Sequence, residues 1–303
     1  MHGMDERSIY YKIFENIERA YPHDKNLIVN GTWLNVEFQE MCEVVLNTWK
    51  PTRVFIGSIV DPWCMTEWAE QKFAGIPITY FGNVDRPNTR FEFFAFRVAD
   101  HNPDILETNL ELKFEPGLFL CYQHKPSQHR DLLTKSIIDN NLLSKGFLKY
   151  KGKRVLGNGI VSDENVESSA MIYSKNANLG DMNVWNSYFV NVVSETVWNI
   201  EYDSFISEKT WKPIIGLRPF LINGNPKIYH RLEEYGFETF EEYWPEKISQ
   251  HKSIESVVEA VVINLQYLYK KTPTELHDMY QDMLPKLKYN QTHFFSFAKD
   301  QKN

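Results

Sequence analysis

The side chains best placed to do chemistry fall between Asp203 and Gly224. This stretch reads as a polar loop, a short helix opening on Glu208-Lys209, and a buried strand, Pro219 to Ile222, closed by Asn223-Gly224. The start of such a helix presents free N–H groups and the positive end of its dipole to an anion. Lys209 adds a full positive charge suited to a diphosphate. Glu208 offers a carboxylate to a pair of vicinal hydroxyls such as those of a ribose. Together they would hold a nucleoside diphosphate without a metal ion. The same two residues also suit an exposed ion pair in the first turn of any surface helix, and both readings stay open on these residues alone.

Other chemistries lose ground. There is no Walker sequence, no His-Glu-x-x-His and no Gly-x-Ser-x-Gly elbow, and Gly157-Asn158-Gly159 lacks the third glycine of a dinucleotide fingerprint. No Cys/His spacing suits zinc. The Asp-x-Asp pair that would hold a divalent cation on a nucleoside diphosphate is missing, Glu201-Tyr202-Asp203 being the nearest approach. A net charge of -7 argues against nucleic acid as a default partner. Cys42, Cys64 and Cys121 are sparse, odd in number and without a Cys-x-x-Cys, as suits reduced thiols.

These side chains need a scaffold, and the chain reads as alternating strands and helices. Leu27-Ile28-Val29, Arg53 to Gly57 and Ile76 to Phe81 are short apolar runs separated by helical periods over Val36–Trp49 and Trp63–Phe73, the pattern of βαβ units in a parallel sheet. The pattern restarts with a strand at Gly117–Tyr122, a helix at His129–Leu143 and a strand at Tyr188–Val193. Ser253 caps an amphipathic helix with Ile254, Val257, Val258, Val261, Val262, Leu265 and Leu268 on its apolar face. Thr272, Pro273 and Glu275 then supply cap, first-turn proline and capping-box acid for a last helix. The expected fold class is α/β, with two Rossmann-like domains facing a cleft. At 303 residues the chain suits two domains of about 150 residues. The expected division is an N-terminal acceptor-side domain at 1–116, a C-terminal donor-binding domain at 117–285, and a C-terminal segment at 286–303. The aromatic end of that segment, His293-Phe294-Phe295-Ser296-Phe297, is expected to pack back on the N-terminal domain. No run approaches the roughly 18 apolar residues of a membrane span, and the polar start Met1 to Arg7 is no signal peptide, so the expected location is cytoplasmic.

Ser194-Glu195-Thr196 followed by Asp203 to Gly224 resembles the donor-binding signature of the α-1,3-fucosyltransferases, and the stretch that follows, Leu232 to Phe240, is similar to a version found in bacterial and tailed-phage glycosyltransferases. Glu195 falls on the first acid of that signature, Phe205 on its tyrosine, Ser207 on its threonine, and Glu208 and Lys209 on its Glu-Lys pair, while Pro219–Gly224 takes the place of its closing strand. The resemblance implies a GT-B-like fold and places Glu195, Phe205, Ser207, Glu208 and Lys209 at a nucleotide-sugar donor. It also implies an arginine at the donor phosphates early in the same domain. The best counterpart is Arg130, which follows a strand and opens a helix, where Rossmann-like domains put phosphate ligands. Arg130 is alternatively an ordinary first-turn residue. Phe205 in place of tyrosine keeps a ring and loses a hydroxyl.

What the resemblance implies for function is an inverting, metal-independent glycosyltransferase that moves a sugar from a GDP- or UDP-linked donor to an acceptor hydroxyl, with no cofactor beyond the donor. A glycan or lipid-linked acceptor is favoured. Hydroxymethylated cytosine in DNA is an alternative, since Lys149, Lys151, Lys153 and Arg154 form the densest basic cluster, and a solvated loop is the plainer account of that cluster. A noncatalytic nucleotide-sugar-binding protein is a further alternative. The resemblance also implies a general base in the N-terminal domain. Asp61, just beyond the second strand, is the candidate, ahead of Glu67 and Asp85; Asp61-Pro62 equally reads as a helix cap with proline at the first helical position.

Overall fold

The computed structural model describes residues 15, 17–30, 36–58, 70–82, 92–151, 153–156, 178–198 and 205–300. The chain divides into two compact units, Met1–Phe93 and Phe94–Asn303.

The first unit holds a parallel sheet of β1 (Asn26–Asn30), β2 (Arg53–Ser58) and β3 (Ile78–Gly82) in that order. Parallel neighbours need a crossover, and α1 (Val36–Trp49) supplies the first. Val29, Val54, Ile56 and Phe73 form its small core. Arg53 closes the start of β2, pairing with Asp24 at 2.9 Å and lying 4.3 Å over the Tyr21 ring.

The second unit takes in all but the first residue of α2 (Phe93–His101) and then builds a five-stranded sheet in the order β6-β5-β4-β7-β8. Its strands are β4 (Gly117–Gln123), β5 (Gly146–Tyr150), β6 (Lys153–Val155), β7 (Tyr188–Ser194) and β8 (Phe220–Asn223), and only β6 runs antiparallel to its neighbour. The helices are α3 (Gln128–Asp139), the short α4 (Met182–Trp185), α5 (Glu208–Ile215), α6 (Lys227–Glu234), α7 (Ile254–Tyr269) and α8 (Pro273–Asp300). Helices α3 and α7 pack on each other and on β8, and α5 and α8 pack on each other and on β7. A sheet covered on both faces needs strands apolar on both sides. All four residues of β8 are buried, as are six of the seven in β7. Gly146 lets β5 approach β4: a methyl group there would stand 2.1 Å from the Phe119 ring.

Several sequence expectations are met closely. The strands and the helix at 208–215 stand where the apolar runs put them, Ser253 caps α7, and Thr272 and Glu275 form the bonds of a capping box before α8. The helix from His129 is shorter than expected, because Asn141 takes a left-handed conformation at φ 55° and a 3₁₀ turn follows. The boundary also differs. The compact division falls at Phe93/Phe94 rather than 116/117, since Ala95, Val98, Ile105, Leu110 and Leu112 belong to the same core as β4 and β7. The aromatic end of the chain packs within this unit too. Phe294 and Phe297 lie 5.6 and 5.7 Å from Trp211, and Phe297 lies 4.9 Å from Tyr235, where the sequence expectation had them facing the N-terminal domain. The basic cluster is not a loop: Lys149, Lys153 and Arg154 stand on the paired strands β5 and β6, and Lys151 turns between them.

A buried arginine ties this unit together. Arg218 is 1% exposed, and its guanidinium donates to the carbonyls of Tyr188, Leu110 and Leu217, to Asn186 Oδ1 and to the Tyr280 hydroxyl. Desolvation pulls it down to about 10, with Tyr280 opposing.

Candidate functional site

The chain leaves β4 for β5 on one side and later returns to place β7 on the other side of β4. The carboxyl ends of β4 and β7 therefore flank a topological switch point, the place where open α/β sheets bind ligands. Four short segments meet there: the turn from β4 into α3, the residues after β7, the opening of α5 and the end of β8.

From the first comes Arg130, in the first turn of α3 and 3% exposed. Its Nη1 donates to the Lys125 carbonyl at 3.0 Å, and Nη2 donates to those of Ser194 at 3.1 Å and Glu195 at 2.6 Å. Its Nε is buried without a partner. Burial pulls Arg130 below the ordinary arginine value, while the charges of Glu195, Cys121 and Glu208 oppose that pull. Next to it, His129 Nε2 lies 2.9 Å from the Glu195 carbonyl and Nδ1 lies 3.2 Å from the Ser127 hydroxyl. A neutral ring with its proton on Nε2 satisfies both contacts, and burial holds His129 at about 4, with the Glu195 bond opposing and Arg130 assisting.

Glu195, just after β7, is fully buried and is the hub of the site. Its carbonyl takes the His129 and Arg130 bonds. Its carboxylate accepts from the Thr196 N–H at 3.0 Å, the Ser207 N–H at 3.1 Å and the Thr210 hydroxyl at 2.5 Å. One glutamate thus fastens α3 to the end of β7 and fixes how α5 begins. Gly224 makes this approach possible: a methyl group on it would stand 2.9 Å from Glu195 Cβ. Asn223 completes the seam, its Nδ2 donating to the His129 carbonyl at 3.1 Å and to Ser194 Oγ at 2.9 Å, with Oδ1 buried and unpartnered.

Helix α5 forms because Ser207 caps it, accepting the Lys209 N–H at 3.3 Å, and because Trp211, Ile214 and Ile215 bury one face. In its first turn Lys209 Nζ lies 2.6 Å from Glu208 Oε1 and donates to Thr196 Oγ1 at 3.0 Å. Burial pushes Glu208 up, but the charge and hydrogen bond of Lys209, the charge of Lys212 and its own backbone N–H carry it below the usual carboxylate range.

The structure therefore brings Arg130, Glu195, Ser207, Glu208 and Lys209 to one edge of one sheet. Glu195 and Ser207 face inward there as organisers of the chain. Phe205 is 6% exposed and packs edge-on against Phe94 at 5.6 Å. Asp61, with Glu67 and Asp85, lies outside the described residues. Thr196, Thr210, Asn223 and Lys212 were not anticipated. Only Lys212 carried a signal in the sequence, the i,i+4 spacing from Glu208. Among the described residues no three His, Cys, Asp or Glu side chains gather as metal ligands would. A depression of about 610 Å³ lined by Asn109, Lys113, Phe114, Asn186 and His277 lies at the opposite, amino edge of the strands.

No protein-family model matches the chain, and no curated protein sequence matches it. Among solved structures, the chain is similar to an α1,3-fucosyltransferase with GDP, at 10% identity and a TM-score of 0.39 over 90% of both chains. It is likewise similar to an α1,3-fucosyltransferase with GDP-fucose, at 11% identity and a TM-score of 0.40 over 90% of both chains.

Proposed function

We propose that this chain is a glycosyltransferase that takes its sugar from a guanosine- or uridine-diphosphate donor. The observation that carries the proposal is the meeting of Arg130 with the Lys209 turn of α5 at the switch point between β4 and β7. Cations and the positive end of a helix dipole at the carboxyl edge of a parallel sheet suit a diphosphate. The ordered match from Glu195 to Gly224 with a donor-binding signature supports the same reading.

In the proposed reaction the acceptor hydroxyl oxygen attacks the anomeric carbon while the bond from that carbon to the diphosphate oxygen breaks. One displacement inverts the centre, and the nucleoside diphosphate departs with the bonding electron pair. The hydroxyl proton passes to a carboxylate, for which Asp61 is the candidate. Lys209 and the open donors of Arg130 meet the charge that develops on the leaving group, and the helix dipole adds to them, so the step is assigned without a metal. Glu208 Oε2 remains an acceptor for ribose hydroxyls. A glycan or lipid-linked sugar is the favoured acceptor. Modified DNA is the second reading, favoured by the cations of the β5–β6 hairpin; it requires binding that weakens steeply with salt.

The test is release of nucleoside diphosphate from a panel of nucleotide sugars with candidate acceptors. Turnover that is lost in Lys209→Ala and Glu208→Ala is expected. Donor binding that is unchanged in both variants, without turnover on any acceptor, would overturn the proposal and leave a noncatalytic binder.

A further inference from the structure

Lys212 stands four residues beyond Glu208 on α5, the spacing that places two side chains on one helix face. It is half-buried, and among the described residues its ammonium has no hydrogen bond and no ion pair, since Lys209 takes the Glu208 carboxylate. A cation drawn out of water without a partner is costly. Burial pulls Lys212 down to about 8, Glu208 opposes that pull and Lys209 adds to it. Of the elements packed on α5, β7 carries no charged residue and α8 meets the helix through Gln291, Phe294 and Phe297, and the charges acting on Lys212 are those of Glu208 and Lys209. Among the described residues, two lysines against one glutamate leave this face with one positive charge in excess. At the same sheet edge Arg130, 3% exposed, keeps its Nε unpartnered and feels the charge of Glu208. An anion would complement all of these groups.

We propose that Lys212 is a second cation of the donor site, taking a phosphate oxygen of the nucleoside diphosphate beside Lys209 while Glu208 offsets one of the two charges. The inference rests on the nucleotide-sugar reading of this site. It goes beyond the residues matched to the signature, of which Lys212 is not one. A bound phosphate favours the charged form of Lys212, so the protonated protein is the binding-competent one. Affinity then falls as the pH rises through the range where Lys212 gives up its proton. With its value near 8, about one molecule in ten keeps the charge at pH 9, and the apparent affinity drops by about tenfold from its value at low pH.

The experiment is calorimetric titration of the whole chain with guanosine and uridine diphosphates at about pH 7 and pH 9, using wild type, Lys212→Met and Lys212→Arg. Thermal unfolding of each protein runs alongside. Wild type is expected to lose affinity with pH, and Lys212→Met to bind about tenfold more weakly at pH 7 and to respond less to pH. Lys212→Arg, which stays charged at pH 9, is expected to keep the pH 7 affinity and lose most of the fall. If Lys212→Met does not fold, the pH profile of Lys212→Arg decides alone. A folded Lys212→Met with wild-type affinity at both pH values, or a Lys212→Arg profile identical to wild type, overturns this inference and leaves the donor reading standing. Failure of wild type to bind either diphosphate overturns both.

Discussion

Nη2 of Arg130 lies 2.6 Å from the backbone carbonyl of Glu195, whose carboxylate in turn holds the Ser207 N–H at 3.1 Å. Arg130 and the start of α5 are therefore fastened to the same residue. Moving either would move the other, so one buried glutamate sets the geometry at the carboxyl edge of the sheet. That arrangement suits electrostatic stabilisation, which depends on charges already in place.

Glu195→Ala should be among the most damaging single changes in the second unit. It removes the acceptor for two backbone N–H groups and one hydroxyl in a fully buried setting. Hydrogen bonds to a charged group contribute about 1.5–3 kcal/mol each, and orphaned buried donors add to the loss. A loss of roughly 3 kcal/mol or more in urea unfolding is expected, with diphosphate binding abolished. A loss under about 1 kcal/mol would remove Glu195 from its place as the hub.

Gly224→Ala should injure the site without touching a ligand. The added methyl would stand 2.9 Å from Glu195 Cβ and 3.3 Å from Ile222 Cγ2, so Glu195 must shift. Overpacking of this kind costs about 1–3 kcal/mol. Affinity for the diphosphate should fall with stability, and a partial return is expected at low temperature, where the variant is fully folded. Wild-type stability and affinity in this variant would contradict the close approach.

His129 predicts an acid-sensitive fold. Its folded value of about 4 lies below the ordinary histidine value of 6.5, so between these the unfolded chain binds the extra proton. Stability is therefore full above about pH 6.5 and declines as the pH falls toward 4, by up to about 3 kcal/mol. Urea unfolding at pH 7 and pH 4.5 measures the decline in wild type and in His129→Gln, in which this contribution to the slope should vanish. An unchanged slope in the variant would assign the acid sensitivity elsewhere.

How much of this was legible follows from where each interaction lies along the chain. The β7–α5–β8 stretch could be read directly, because Ser207 as cap, Glu208-Lys209 at a helix start and Pro219–Gly224 as strand and turn are local signals. The βαβ pattern likewise marked both sheets. The bond from Arg130 to Glu195 spans 65 positions, and the strand order that brings them together is a tertiary fact with no local trace. Glu195 stands out in the sequence as an acid of the resembled signature. Its use as an internal fastener does not, since that depends on Ser207 and Thr210 folding back on it. The prolines and asparagines after residue 82 suggest a linker, whereas Ala95, Val98, Leu110 and Leu112 pack into the second core. The aromatic end is a similar case: its apolar face is plain in the sequence, but its partners Trp211 and Tyr235 belong to the unit it follows.

The proposed donor site puts a diphosphate where α5 opens at the β4–β7 switch point. A crystal structure of the protein with guanosine or uridine diphosphate tests it most directly. The predicted result is a phosphate oxygen within hydrogen-bond distance of Lys209 Nζ and a second one reached by Arg130 or Lys212, with Glu208 on the ribose side. A diphosphate bound at the amino edge of the strands, in the depression beside Lys113 and His277, would contradict it.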